Sequence, residues 1–217
     1  MALVIDDAGN SLEELEPFLH FPGPLTIAVL PGLPHSAEAA RLIRAAGKEV
    51  FLHQPMEAVG GQDPGPGAIF SWMDTDEILA VLHDNLAEIG PIAGMNNHQG
   101  SMITMDRRIM EVILAFCHDQ AIHFLDSRTI AGTVAPSIAQ ELGITIAQRD
   151  IFIDNDSDRL SMGTMINHGL AYAAESGSAV MIGHTWSVEL ASLLMDIYHD
   201  LIDQGFIFAS ISDLLGN

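Results

Sequence analysis

Two carboxylates stand side by side where the first apolar run ends: Leu3-Val4-Ile5 leads into Asp6-Asp7, and Ala8-Gly9 turns the chain. Three apolar residues in a row, two of them β-branched, read as a strand buried on both faces. Burying one unpaired carboxylate is costly and burying two is worse, so the pair belongs at the open end of a sheet or barrel, facing a metal, another cation or water. Neighbours on a strand point to opposite faces, so Asp6 and Asp7 are expected to diverge. Later strand ends carry similar residues: His53, His98, Asp126-Ser127-Arg128, Arg149-Asp150 with Asp154, and His184. Taken singly, each His reads as a hydrogen-bonded strand-end residue and each Asp as a solvated cap. Together, neutral imidazoles and carboxylates at almost every strand end suit zinc or a similar divalent ion. His20, His35, His83, His118, His123, His168 and His199 fit surface or helix positions.

Other chemistries fit less well. The chain holds no G-x-S-x-G elbow, Walker loop, G-x-G-x-x-G or H-E-x-x-H. Cys117, the single cysteine, falls mid-helix among apolar neighbours, a poor place for a nucleophile. One cysteine also excludes an intrachain disulfide and a Cys-rich zinc site. Acidic residues number 29 against 8 basic, for a formal net charge of −21. That charge repels a phosphate backbone and an anionic membrane, so nucleic acid is not an expected partner. No apolar run reaches the length of a membrane span. Met1-Ala2 leads straight into the first strand without a signal peptide, as expected of a domain cut from a longer protein with an N-terminal targeting segment.

These residues need strands that end together. Leu25–Leu30, Glu49–His53, Ile92–Asn97, Ile122–Leu125, Ile144–Ala147, Ile151–Asp154, Ala179–His184 and Phe206–Ala209 read as further strands. Between them, helical spacing runs from Ser36 to Ala46, from Asp74 to Ile89, from Thr104 to Phe116, from Pro136 to Gly143, from Leu160 to Glu175 and from Ser187 to Leu201. Ser11 with Glu14 has the spacing of a capping box. Gln54–Met73 is a long loop rich in Gly and Pro, of the kind used as a lid or binding loop. The βαβα alternation with near-continuous apolar strands means a parallel α/β core in one domain over residues 1–217. It fits a compact (β/α) barrel, with a doubly wound sheet as the alternative. In a barrel the strand C-termini share one face, and the ionisable ends converge.

Several stretches resemble the polysaccharide deacetylase (NodB-homology) superfamily: Asp6-Asp7-Ala8-Gly9 its first motif, Glu49–His53 the strand into its first histidine ligand, Ile182-Gly183-His184 its last motif. The divergent polysaccharide deacetylase branch has segments similar to Leu52-His53-Gln54-Pro55-Met56-Glu57, Met95-Asn96-Asn97-His98-Gln99-Gly100-Ser101, Phe124–Thr129 and Arg149–Asp154. The resemblance covers nearly the whole chain. It implies a distorted (β/α) barrel of about seven strands, a divalent metal such as zinc, and hydrolytic removal of acetyl from an N-acetylated glycan outside the cytoplasm. Under it, Asp6 is the general base, Asp7 and His53 are metal ligands, and His184 is the acid that protonates the leaving amine. The usual H-x-x-x-H of the second motif reads His53 to Glu57 here, so either Glu57 or His98 completes the metal set. The family's Arg-Pro and Asp-Trp motifs are absent, and Asp126 with Arg128 occupies the latter's neighbourhood as further catalytic candidates. Trp186 and Trp72 could stack on a sugar ring, and Asn97 and Asp154 join Trp186 as substrate-facing candidates. The departures leave a second expectation open: an inactive barrel that binds glycan or an envelope partner. A hydrolase of another amide or ester is a third.

Overall fold

The computed structural model describes residues 1–216. Eight strands form one parallel sheet: β1 (Ala2–Ala8), β2 (Thr26–Val29), β3 (Glu49–Met56), β4 (Gly94–Gln99), β5 (His123–Asp126), β6 (Ala147–Gln148), β7 (Ile151–Phe152) and β8 (Val180–His184). Helices α1 (Leu12–Leu19), α2 (Ser36–Ala45), α3 (Thr75–Ile89), α4 (Arg107–Asp119), α5 (Ala135–Leu142), α6 (Arg159–Ser176), α7 (Val188–Asp203) and α8 (Ile211–Leu215) fall between or after them. The spatial order is β6-β5-β4-β3-β2-β1-β8-β7. That is the chain order cyclically permuted, without the reversal of a doubly wound sheet.

The sheet has to curl. Its two edges are β6 and β7, yet only Arg149 and Asp150 separate them in the chain. Three Cα steps of about 3.8 Å reach no further than roughly 11 Å, so the edges come close together. No ladder joins them among the described residues, which leaves a distorted barrel open at this seam. Eight strands build it where the resemblance implies about seven, and two of them, Ala147–Gln148 and Ile151–Phe152, are only two residues long.

Both faces of the strands are apolar for different reasons. Ala2, Val4, Ala28, Phe51, Leu125, Val180 and Ile182 fill the barrel interior. Their neighbours Leu3, Ile5, Ile27, Val29, Val50, Leu52, Met95 and Phe124 face outward into the layer shared with the helices. The bottom of the barrel is closed by α8, whose Ile211 is buried in the inner cluster with Leu214 and Leu215 against it. Glu49 holds that plug. Its Oε2 accepts from Thr26 Oγ1 at 2.6 Å and from the Ile211 N–H at 3.1 Å, and its Oε1 from the Ser212 N–H at 3.3 Å. A carboxylate at a helix N-terminus satisfies donors the helix leaves free.

Local chemistry moves some expected boundaries. β3 runs past His53 to Met56 because β4 stays paired with it as far as Met56↔Gln99, and the long loop returns alongside: the Ile69 N–H donates to Pro55 O and the Glu57 N–H to Ile69 O. The cap of α4 is Asp106, whose Oδ1 accepts from the Arg108 and Ile109 N–H groups, while Thr104 Oγ1 donates back to Gly100 O. Phe206–Ala209 forms no strand, only a bridge from Ala209 to Ala2, and Ser210 with Asp213 then starts α8 as a capping box.

Candidate metal centre

Parity along each strand decides which strand-end residues meet. Residues two apart share a face, so the interior set Ala2, Val4 continues to Asp6, Phe51 to His53, and Ile182 to His184, while Asn96 and His98 share a face of β4. Asp7 should face away. It does not, because the register of β1 on β2 slips between Ile5↔Ile27 and Ala8↔Val29, three steps against two, and Asp7 takes a left-handed φ of 66°. Such a bulge re-aims a side chain. Both carboxylates therefore approach one nitrogen, His53 Nε2, at 3.6 Å from Asp6 Oδ2 and 3.3 Å from Asp7 Oδ1. The expected divergence of the two is corrected by this bulge.

His98 completes the group, with Nδ1 3.1 Å from Asp7 Oδ1 and 3.1 Å from His53 Nε2. One donor atom from each of Asp7, His53 and His98 lies within 4.8 Å of the others. Asn96 orders the site from behind. Its Nδ2 donates to Asp6 Oδ1 at 2.9 Å and to Ser127 Oγ at 3.3 Å, which leaves its Oδ1 to accept from His53 Nδ1 at 2.8 Å. His53 thus carries its hydrogen on Nδ1, and Nε2 is the nitrogen that can present a lone pair.

Without a metal the cluster draws in a proton. Burial alone would lower the His53 pKa, but the charges of Asp6 and Asp7 and the hydrogen bonds to Asp7 and Asn96 outweigh it, and the pKa rises to about 9. Burial pushes the Asp7 carboxyl up, and hydrogen bonds and charge from His53 and His98 more than reverse this, holding it well below the usual carboxylate range. Asp6 goes the other way: its complete burial raises the pKa despite the nearby histidines. Asp7 Oδ1 is buried, and its neighbours there are the two imidazole nitrogens at 3.3 and 3.1 Å. When neither facing nitrogen carries a hydrogen, this oxygen and the two imidazole nitrogens crowd one another as lone pairs, which a cation among them relieves. Two imidazole nitrogens and one carboxylate oxygen match a three-ligand catalytic zinc set, so these residues fit a divalent metal.

A second group borders the first. Asp6 pairs across the β1–β8 ladder with His184. His184 Nδ1 meets Asp154 Oδ1 at 2.9 Å, and its backbone N–H donates to Asp154 Oδ2 at 2.8 Å. Burial opposes protonation of His184, but Asp154 and the two aspartates of β1 raise its pKa overall. The imidazole stacks on Phe152 and on Trp186, with centroids 6.0 and 5.0 Å away.

Other expected site residues are placed elsewhere. Glu57 is turned to the long loop, where its Oε2 accepts from the Ser71 N–H at 2.7 Å, so His98 and not Glu57 joins Asp7 and His53. Asp126 lies one residue after the inward Leu125 and so faces out of the barrel. Its oxygens accept from the Arg128 N–H and Thr133 Oγ1, both at 2.8 Å. Arg128 sits in that loop at φ 48° and is exposed. Asn97 has the wrong parity as well: its Oδ1 accepts from the Ser127 N–H and its Nδ2 donates to Gln99 O. Asp154 is buried behind His184 and supports it from there. Trp72 is exposed and stacks on Phe70. Asn96 and Ser127 were not among the expected site residues, and the signal for Asn96 is its position two before His98.

Comparison with known proteins agrees with this architecture. A family model described as divergent polysaccharide deacetylase matches residues 3–215. Two curated relatives are each 29% identical: an uncharacterized protein of Haemophilus influenzae over 184 residues (85% of this chain, 66% of the relative) and the uncharacterized protein YibQ of Escherichia coli over 199 residues (92% and 62%). The chain spans a little under two thirds of the length of either. An uncharacterized protein from Agrobacterium tumefaciens has a solved structure with TM-score 0.93 at 19% identity, covering 98% of this chain and 87% of that one. The catalytic domain of a peptidoglycan N-acetylglucosamine deacetylase from Eubacterium rectale gives 0.58 at 10% identity (97% and 87%), and a CE4 family pseudoenzyme from Bacillus anthracis gives 0.53 at 17% (99% and 64%). These structures share the fold. With the family model matched over residues 3–215, the chain belongs to the divergent polysaccharide deacetylase family.

Proposed function

We propose that this chain is a metal-dependent hydrolase that removes acetyl groups from an N-acetylated sugar of the cell-envelope glycan, outside the cytoplasm. The observation that carries the reading is the pairing of Asp6 with His184 beside the Asp7–His53–His98 cluster. Those three side chains would hold the ion, zinc being the natural candidate for their donor set. Bound there, a divalent cation supplies Lewis acidity toward the acyl oxygen and lowers the pKa of a water. Asp6 takes a proton from the attacking water: burial has raised its pKa, and Asn96 fixes Oδ1, which leaves Oδ2 toward the site. His184, with Nδ1 on Asp154, has Nε2 left to give a proton to the departing nitrogen. Water adds to the carbonyl carbon, the C–N bond breaks, and acetate and a free amine leave. The exposed face of Trp186 is offered to the sugar ring. The acidic surface suits a neutral or cationic substrate.

Purified protein supplied with zinc, cobalt or manganese is expected to release acetate from N-acetylated glycan oligomers, and Asp6→Asn is expected to lose at least about a hundredfold in turnover with an unchanged melting temperature. Unchanged turnover in Asp6→Asn removes the role of Asp6. A second reading, a barrel that binds glycan or an envelope partner without turnover, draws on the departure at Glu57 and its bond to Ser71. Saturable glycan binding with no acetate released under any metal favours it. Release from other amides or esters alone shifts the substrate class.

A further inference from the structure

We propose that Trp186 is a positioning residue of the metal centre: its indole N–H holds Asp7 so that the other carboxylate oxygen faces the ion, while its ring braces His184. The proposal rests on the metal-centre reading above. Asp7 sits on a bulge with a left-handed φ, a segment in which the ladder itself does little to fix side-chain direction. Its Oδ1 is the atom near His53 and His98, at 3.3 and 3.1 Å. Its Oδ2 accepts from Trp186 Nε1 at 3.1 Å. The two oxygens are therefore divided, one toward the nitrogens and one toward the indole. A metal-binding carboxylate whose second oxygen is hydrogen-bonded keeps its orientation, and losing such a partner costs ten- to a hundredfold in metal affinity.

The indole is not held there by burial, since Trp186 is 48% exposed. Two contacts hold it instead. The Thr185 N–H donates to Asp6 O at 3.0 Å, carrying the chain past the end of β8 along β1 and delivering Trp186 over Asp7. The ring then lies nearly parallel to His184, 17° between planes, and the imidazole also stacks on Phe152. One side chain thus touches both a ligand of the ion and the proposed acid. A tryptophan whose only role is to stack on sugar needs neither contact.

Cobalt and zinc binding to the full chain, followed by calorimetry on wild type and Trp186→Phe, tests this. Phenylalanine keeps a ring for His184 but has no N–H for Asp7. Metal affinity is expected to fall ten- to a hundredfold; equal affinity in the two proteins overturns the role of Trp186 and leaves the metal centre standing. No binding by wild type removes the metal centre, and this proposal with it. A second measurement does not depend on the variant folding. Trp72→Phe leaves Trp186 as the single indole, and cobalt is expected to quench its emission with the midpoint found by calorimetry. Emission that does not respond at saturating cobalt overturns the contact.

Discussion

At the scale of the residue, the site is a balance of charge. Asp6, Asp7 and the nitrogens of His53 and His98 meet in a volume that needs positive charge; a proton on His53 supplies it, and under the proposed function a metal would. The two compete. The folded pKa of His53 is raised to about 9 from an ordinary value near 6.5, so in the metal-free protein its contribution to stability is full below about 6.5 and is lost as pH rises through about 9. Under the proposed function, metal entry would displace that proton. Apparent zinc affinity is therefore expected to rise about tenfold per pH unit between 6.5 and 9 and then level off, as isothermal titration at several pH values checks. Asp154 acts on the other group. Since it raises the His184 pKa, Asp154→Asn should lower it, moving the alkaline limb of the pH–rate profile to lower pH and slowing turnover roughly tenfold or more. A profile that does not move would show that Asp154 does not tune the acid.

At the scale of the element, each strand delivers its residue through parity, and small deviations decide the outcome. One bulge in β1 brings Asp7 beside Asp6, while strict parity in β4 and β5 turns Asn97 and Asp126 away. The His53 and His98 strands lie side by side, and their spacing depends on Gly94. A Cβ there would stand 2.7 Å from the His123 carbonyl oxygen and closer still to the Phe51 ring. Overpacking of this kind costs about 1–3 kcal/mol. Gly94→Ala is expected to lose that much in urea unfolding and also to weaken metal binding, because β4 must shift against the Phe51 ring of β3 and the His123 carbonyl of β5. Wild-type stability in this variant would show that the inner layer has slack the packing does not suggest.

At the scale of the whole molecule, the barrel has a chemical end and a structural end. The C-terminal ends of β1, β3, β4 and β8 hold the ionisable groups, while the opposite end is closed by α8 resting on Thr26 and Glu49. The two ends should be separable. Ile211→Ala, which hollows the buried plug, is expected to cost about 2–5 kcal/mol in unfolding free energy while leaving metal affinity as in wild type. A matching loss of affinity would show that the plug and the site are coupled through the core.

Much of this was legible in the chain itself. Continuous apolar strands alternating with helical spacing require a parallel α/β core, and the types of residue at the strand ends require a polar, charge-hungry site at one face. Asp6, Asp7, His53, His98 and His184 are readable on that ground, because burial of such groups without partners is too costly to be incidental. The tertiary structure alone decided which of them meet. The bulge that turns Asp7 inward depends on pairing with β2, a strand about twenty residues away. The choice of His98 over Glu57 depends on a loop that returns to hold Glu57 at Ser71. The role of Asn96 arises from three partners on three other strands or strand ends. Local residue order sets propensity and face; lateral register between distant segments, which no short window contains, sets which atoms come within 3 Å of one another.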